Sequence, residues 1–219
     1  MNSRLRKDLK SFLDKYYKFE LVNSKNPNTI ILVGVADIAD ENDGHWESYK
    51  IKIVFNENDY PNVIPIVYEL SKHIDRNWDF HISKDGICCL NIPHKLIKQK
   101  SRGIELTEFY KDVIYPFFAN HQFKLKEEKY ANGEYKHSDD GIAQFYSEEF
   151  ELNEPEIIIK YLELAIGQMK TEANKKCPIC GKSKYKKCCR PKVNKLMIFG
   201  KKQLLTDLEI FKNRLMKNE

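Results

Sequence analysis

Four cysteines near the end of the chain lie within thirteen residues, and this cluster restricts the local fold more than any other feature of the sequence. They are Cys177, Cys180, Cys188 and Cys189. Thiolates are soft ligands that suit zinc, and four of them fill a tetrahedral site without leaving a position for a substrate water. The spacing therefore predicts a structural Zn²⁺ site that holds a segment too small to bury its own core. The alternative is free or disulfide-linked cysteines.

The segment that carries these cysteines is strongly basic. Residues 170–219 contain 15 Lys and Arg against 4 Asp and Glu, whereas residues 1–169 contain 22 against 28. Lysines near the cluster would offset the negative charge of four thiolates on one Zn²⁺. A basic segment of this kind can bind nucleic acid or an acidic protein, and it is equally compatible with a solvated, lysine-rich face.

The start of the chain and its hydropathy indicate a cytoplasmic protein. Met1 to Lys10 is charged and lacks the apolar region of a secretory signal. No run approaches the roughly 18 apolar residues that a membrane span needs. In a reducing compartment, clustered cysteines more often bind metal or act in catalysis than form disulfides.

The first 70 residues predict a helix followed by an antiparallel meander. Apolar residues recur at helical spacing over 3–18. The segments 29–38, 49–55 and 64–70 are apolar, β-branched or alternating, as expected of strands. An acidic turn is predicted at 40–44. Because the connections are short, the strands are expected to be antiparallel, which gives an α+β fold.

The rest of the chain is predicted to be largely helical. Helices are expected at 106–118, 141–150, 153–169 and 204–215, with a polar loop or frayed helix at 119–141 and a charged linker at 170–176. His137, in the polar stretch, is expected to be exposed. We place the domain boundary after residue 169, between a larger domain of residues 1–169 and a basic tail of residues 170–219.

Two further cysteines, Cys88 and Cys89, are adjacent in a short irregular segment. Free cysteine is usually a small buried hydrophobe, whereas a reactive cysteine needs partial exposure. On these residues alone, the pair is either two core thiols or one core thiol beside an exposed one. His81 is close in sequence and more often serves as a hydrogen-bonded scaffold residue than as a base.

Residues 1–93 resemble the ubiquitin-conjugating (UBC) fold in element order and in motif. Tyr60-Pro61-Asn-Val-Ile-Pro65 is similar to the Tyr-Pro turn of that family, and His81 stands where its His-Pro-Asn segment begins. The Gly86-Ile-Cys-Cys-Leu segment is similar to the motif that contains the nucleophile. Alignment on the glycine and leucine selects Cys89 as nucleophile, with Cys88 facing the core, whereas alignment on Ile-Cys selects Cys88.

The resemblance implies that the protein carries the C-terminus of a partner protein as a cysteine thioester and passes it to an amine or a thiol. The family's asparagine, which stabilises an oxyanion, is absent from His81-Ile82-Ser83, and Asn77 or Asn91 would have to replace it. A non-catalytic module that docks a partner's C-terminal tail is therefore the alternative. Since the sequence has no nucleotide-binding glycine motif, activation would need a separate adenylating enzyme or a partner that already carries a thioester.

The cysteine-rich tail resembles the SEC-C motif over Cys177 to Arg190, including its Lys184-Tyr-Lys-Lys run and its terminal Cys-Cys pair. It departs from that motif because its first pair is spaced Cys-x-x-Cys rather than Cys-x-Cys. The resemblance implies a zinc-binding interaction tail. The chain also looks like the conjugating components of bacterial antiphage (CBASS-like) operons, which implies as partner a nucleotidyltransferase that makes cyclic oligonucleotides.

Overall fold

The computed structural model describes residues 1–39, 44–127, 135–136 and 138–217. The predicted acidic turn, apart from Gly44, and His137 lie outside these residues. The chain divides by its internal contacts into two compact units, Met1–Glu134 and Tyr135–Glu219, called here the N-terminal and C-terminal units.

The N-terminal unit begins with helix α1 and a four-stranded antiparallel sheet, so the predicted α+β class is confirmed. The strands pair in the order β1-β2-β3-β4, as expected of a meander. Three strands were expected; the fourth is β1, which begins four residues after α1 ends. The elements are α1 Ser3–Lys15, β1 Phe19–Val22, β2 Thr29–Ala39, β3 His45–Asn56 and β4 Ile66–Glu69.

The core of the N-terminal unit lies between one face of the sheet and the helices. Alternate residues of β2 are buried, which the period of a strand requires when one face is covered. Phe12 of α1 packs edge-to-face on Phe19 and on Tyr110. Gly34 pairs with Phe19 across β1 and β2 and lets the ring lie directly against the backbone.

One connection between β3 and β4 and one after the sheet lead to the helices of this unit. Tyr60 of the Tyr60-Pro61 corner is buried, and its hydroxyl donates to the carboxylate of Asp8. A 3-10 turn, Trp78–Phe80, precedes the segment that contains Cys88 and Cys89. The following helices are α2 Pro93–Arg102, α3 Leu106–Phe109, a π-helical turn Tyr110–Ile114 and α4 Tyr115–Glu127. Of the two alternatives expected from residue 119, a loop or a frayed helix, the loop is wrong over residues 119–127, which are helical.

The C-terminal unit contains two longer helices, the cysteine-rich segment and two helices after it. The elements are α5 Ser138–Phe150, α6 Pro155–Ile166, the 3-10 turn Tyr185–Lys187, α7 Arg190–Leu196, the 3-10 turn Met197–Phe199 and α8 Gly200–Lys217. Helix α6 ends at Gly167, which adopts a left-handed conformation that glycine tolerates best. Tyr146 of α5 donates a hydrogen bond to Asp207 of α8, and both side chains are buried.

The segment 170–176 is part of the packed cysteine module and not only a charged linker. The N–H of Tyr185 donates to the carbonyl of Lys175 at 2.9 Å, and the N–H of Lys186 donates to that of Ala173 at 2.9 Å. Helices α5 and α6 also belong to the same compact unit as this module. The division after residue 169 into a conjugating domain and a tail stays a prediction about function; the compact units divide between residues 134 and 135.

Candidate functional sites: a cysteine cluster and an exposed thiol

The four C-terminal cysteines converge on one point. The sulfur atoms of Cys177, Cys180, Cys188 and Cys189 all lie within 4.8 Å of one another. A Zn–S bond of about 2.3 Å places tetrahedral sulfurs roughly 3.8 Å apart, and Cys180 Sγ lies 3.6 Å from Cys188 Sγ. A disulfide would need about 2.05 Å. The cluster could therefore hold a metal ion, and its four thiols are compatible with the donor set that zinc prefers.

A tight turn presents the first two sulfurs. The N–H of Gly181 donates to the carbonyl of Cys177 at 3.0 Å, and Gly181 has a φ of 62°, a left-handed conformation. The N–H of Cys177 donates to the carbonyl of Ser183 at 2.8 Å, which closes the loop. The second pair follows the turn Tyr185–Lys187, and Cys189 is the N-cap residue of α7. Local backbone hydrogen bonds thus position all four sulfurs.

Helix α6 anchors the cluster from the side. Tyr161 of α6 is close enough to the cluster that burial, followed by the neighbouring Cys189 thiol, raises the pKa of its hydroxyl. Cys177 and Cys189 are buried, whereas Cys180 and Cys188 are half-buried. The backbone N–H of Lys182 is the main cause that lowers the pKa of Cys180 to about 7. Of the four thiols, Cys180 is thus shifted towards the thiolate that metal binding requires, whereas burial raises the pKa of Cys188 and Cys189.

The other two cysteines lie on a loop attached to the sheet. Isolated bridges join Tyr68 to Ile87 and Ile82 to Cys88, and the N–H of Cys88 donates to the carbonyl of Val67 at 2.8 Å. Cys88 is buried, whereas Cys89 is exposed. Burial raises the pKa of both thiols, and the Glu69 carboxylate adds to the effect on Cys88. Of the two thiols, Cys89 is the one that a partner protein can reach.

The structure brings His81 beside Cys89 through the main chain. The N–H of Cys89 donates to the carbonyl of His81 at 2.8 Å, and the N–H of His81 donates to the carbonyl of Trp78 at 3.0 Å. His81 has a φ of 54°, so its backbone turns sharply at the end of the 3-10 turn. This geometry gives His81 a role in positioning the cysteine loop.

Asn77 and Asn91 are both exposed residues on the chain around this loop. The Asn77 Oδ1 accepts from the N–H of Phe80 at 3.1 Å, and the Asn91 Oδ1 accepts from the N–H of Ile92 at 2.9 Å. In each residue the amide oxygen accepts a hydrogen bond from a backbone N–H. The NH₂ group, which is the donor of the amide, is not used in these two contacts.

A buried ion pair that the sequence patterns did not reveal supports the cysteine loop. Arg76 Nη1 lies 2.6 Å from Glu69 Oε2, and the Glu69 side chain has no exposed surface. Arg76 Nη2 also donates to the Glu69 carbonyl at 2.8 Å, while the Glu69 N–H donates to the carbonyl of Gly86 at 2.8 Å. The pattern that could have revealed Glu69 is its position two residues after Val67, on the buried face of β4.

Comparison with known proteins found no matching family model, no matching curated protein and no matching solved structure. Among the described residues, no helix has both the length and the apolar character that crossing a membrane requires. The sites themselves therefore carry the functional argument.

Proposed function

We propose that this protein is a ubiquitin-conjugating-like acyl carrier in which Cys89 holds the C-terminus of a partner protein as a thioester. The observation that carries the proposal is an exposed thiol on a backbone-fixed loop beside a buried thiol. The loop follows a helix, an antiparallel meander and a buried Tyr60-Pro61 corner, and it precedes α2. This is the order of elements in the UBC fold that the sequence resembles.

The chemistry follows from a thiol that is accessible and fixed in position. The sulfur of Cys89 attacks the carbonyl carbon of a partner's C-terminus that is already bound as a thioester to an activating enzyme. A new C–S bond forms, the old C–S bond breaks, and the proton of Cys89 passes to the departing thiolate. An amine or a second thiol then takes the acyl group and returns Cys89 as a thiol.

The proposed first step is an exchange between thiols, in which a good leaving group compensates for a weakly acidic nucleophile. Partial burial raises the pKa of Cys89, which reduces the thiolate fraction at neutral pH. The departing group is itself a thiolate, so the exchange needs no strongly activated nucleophile. The later attack by an amine requires a donor to the oxyanion, and Asn77 and Asn91 are the proposed candidates.

His81 is proposed as a positioning residue for Cys89. Its carbonyl group makes the contact with Cys89, and its backbone is left-handed. Because asparagine tolerates this conformation, His81→Asn is expected to keep the loop and the yield of Cys89 thioester while removing the imidazole. A loss of thioester in a variant that folds normally would instead show that the imidazole takes part in the reaction.

The test uses the full chain, purified from cells that also express its neighbouring genes and analysed on non-reducing gels. The wild-type protein is expected to show an adduct that thiols and hydroxylamine remove. Cys89→Ser is expected to form an oxygen ester that resists thiols, and Cys89→Ala is expected to form none. Cys88→Ala, which alters the buried neighbour, is the matched control and should retain the adduct. Equal adduct in wild type and Cys89→Ala would refute the proposal.

A non-catalytic binding module is the second candidate, and the segment His81-Ile82-Ser83 favours it. The segment lacks the asparagine that the resemblance requires for amine attack. In this case the loop docks the C-terminal tail of a partner, for which the resemblance to antiphage operons suggests a nucleotidyltransferase. The complex would then survive Cys88→Ala and Cys89→Ala alike, and no covalent adduct would form with any variant.

For the C-terminal unit, we propose that Cys177, Cys180, Cys188 and Cys189 bind one structural Zn²⁺. The closed set of four sulfurs leaves no ligand position for a substrate. Purified protein is expected to contain one zinc per chain, and Cys177→Ser or Cys188→Ser should lower that content. Chelation should unfold the cysteine module, detected as loss of helical circular dichroism. A chain that keeps its melting curve after complete chelation would contradict the structural role.

A further inference from the structure

The cysteine module has a continuous segment with no acidic residue. Residues 173–206 contain eleven basic residues and no Asp or Glu. Ten of the eleven are exposed, and Lys192 is half-buried. We call the side chains of these eleven the basic surface: Lys175, Lys176, Lys182, Lys184, Lys186, Lys187, Arg190, Lys192, Lys195, Lys201 and Lys202.

The structure does not use these charges internally. None of the eleven forms an ion pair with a carboxylate in the part of the chain that the structure describes. Lys192 differs from the other ten because its Nζ donates a hydrogen bond to a protein group, the carbonyl of Phe150. A zinc ion with four thiolates would carry a charge of −2, which is far smaller than the charge of eleven cations. Most of this positive charge therefore remains to be explained.

The fold also brings like charges together. Lys176 and Lys184 lie directly opposite each other in an antiparallel bridge. The side chain of Lys176 lies over the turn of the cysteine cluster at Gly181. Its Cε atom is 3.9 Å from the position that a Cβ atom would occupy if residue 181 had a side chain. Like charges at opposite positions destabilise a β-pair. An anion bound at this point would remove the repulsion.

The residue types favour nucleic acid over protein as the anion. Lysine is depleted in protein–protein interfaces, whereas interfaces with nucleic acid are much more positive. Three exposed apolar side chains, Met197, Ile198 and Leu205, are few beside ten exposed cations. The aromatic residues of the segment, Tyr185 and Phe199, are only 7% and 5% exposed, so neither offers a ring on which an unpaired base could stack.

From these observations we propose that the basic surface binds the phosphate backbone of duplex nucleic acid without regard to base sequence. Contacts to phosphates alone carry no sequence information. Each neutralised phosphate releases counterions, so the affinity falls steeply with salt. The surface belongs to the cysteine module, and its binding is independent of the thiol chemistry proposed for Cys89.

The experiment measures fluorescence anisotropy of short labelled duplexes with the full-length, zinc-loaded protein over about 50 to 200 mM salt. Two unrelated DNA sequences and one RNA duplex are compared with the single strands of the same sequences. We expect similar affinity for the two DNA sequences and weaker binding of the single strands. The RNA arm shows whether the phosphate contacts also fit A-form geometry. Cys89→Ala is expected to bind as wild type does, which separates this result from the thioester proposal.

The test variant is Lys176→Ala with Lys184→Ala and Lys186→Ala. It relieves like-charge repulsion, so the module should remain folded, as its zinc content will verify. If all three contact phosphates, the slope of log affinity against log salt falls by roughly 3. The matched control replaces Arg6, Lys7 and Lys10, exposed on α1, with alanine. Absence of duplex binding at low salt, equal weakening by the control, or preferential binding of single strands or polyglutamate would overturn the proposal.

Discussion

The buried pair between Glu69 and Arg76 provides the sharpest test of how the cysteine loop is held. We consider Arg76→Met, which keeps an unbranched side chain but removes the guanidinium. In the variant, the Glu69 carboxylate has no exposed surface and has lost the guanidinium that lies 2.6 Å from it in the wild-type protein. Its Oε2 would keep the N–H of Lys72 at 3.1 Å, whereas Oε1 is buried without a hydrogen-bond partner among the described residues.

The expected cost is large because a buried charge would lose its partner. Removing one member of a buried ion pair typically destabilises a protein by about 3–5 kcal/mol, whereas an exposed pair contributes about 0–1 kcal/mol. Arg76 is partly exposed, so we expect the lower end, about 3 kcal/mol. Adding Glu69→Gln removes the unpaired charge and should recover at least about 1 kcal/mol of that loss, since replacing both members is often nearly neutral.

Tryptophan fluorescence during urea unfolding measures the free energy of unfolding of the N-terminal unit, which contains the ion pair. Both tryptophans of the chain, Trp46 and Trp78, lie in the N-terminal unit, so the transition reports that unit. The midpoint for Arg76→Met should fall while the slope with urea stays constant. A cost below about 1 kcal/mol, or a double variant less stable than Arg76→Met, would show that the pair behaves as a surface ion pair.

Three other predictions follow from single contacts. Burial, followed by the charge of Lys124, lowers the pKa of His121 to about 4. The unfolded chain then binds a proton more strongly, so about 3 kcal/mol of stability present above pH 6.5 is lost as the pH falls to about 4; His121→Gln should remove this dependence, and an unchanged pH profile would refute it. Tyr146→Phe deletes the hydroxyl that donates to Asp207 at 2.7 Å, and it should cost about 1.5–3 kcal/mol in thermal melts; a smaller cost than that of an exposed Tyr17→Phe control would contradict the contact. In Gly34→Ala the new Cβ would lie 2.4 Å from the Phe19 ring and 2.7 Å from the Lys18 carbonyl oxygen, and overpacking should cost about 1–3 kcal/mol by tryptophan-detected unfolding; a neutral result would refute this close packing of β1 on Gly34.

The parts of the fold that could be predicted are those whose pattern reflects burial on one face. Strands β2 and β3 alternate over many residues, and their positions follow from that period. Strand β1 has four residues, of which only Phe19 is buried, while Leu21 is 48% exposed. Because Leu21 and Val22 are apolar but exposed on either face, these four residues give no burial period from which a sequence pattern could identify the strand.

Helix α4 shows a different limit of the sequence pattern. Its second half, up to Glu127, is rich in polar and charged residues, which resembles a loop in composition. The helix is instead held by a long-range contact, a hydrogen bond of 2.8 Å between His121 Nδ1 and the hydroxyl of Tyr49 on β3. Partners that are 72 residues apart in sequence leave no local trace in the residues that they position.

The two candidate sites also differ in how much of each could be predicted from the sequence. The cluster of four cysteines could be predicted because its ligands are close in sequence and its turns are local. The support of the Cys89 loop could not, because Glu69 and Arg76, although seven residues apart, are joined by an irregular connection that no sequence pattern defines. A charged residue on the buried face of a short strand indicates a buried partner, but the sequence does not identify which one.

The backbone bears on the choice between Cys88 and Cys89 as the proposed carrier, which motif alignment leaves open. Aligning the glycine and leucine selects one cysteine and aligning the Ile-Cys pair selects the other, so the motif alone is ambiguous. Cys88 pairs with Ile82 and donates to Val67, which extends the strand geometry along the loop. Because successive side chains in extended backbone face opposite sides, burial of Cys88 exposes Cys89. The thioester proposal therefore assigns the carrier role to Cys89, and a role for Cys88 would require the loop to detach from β4.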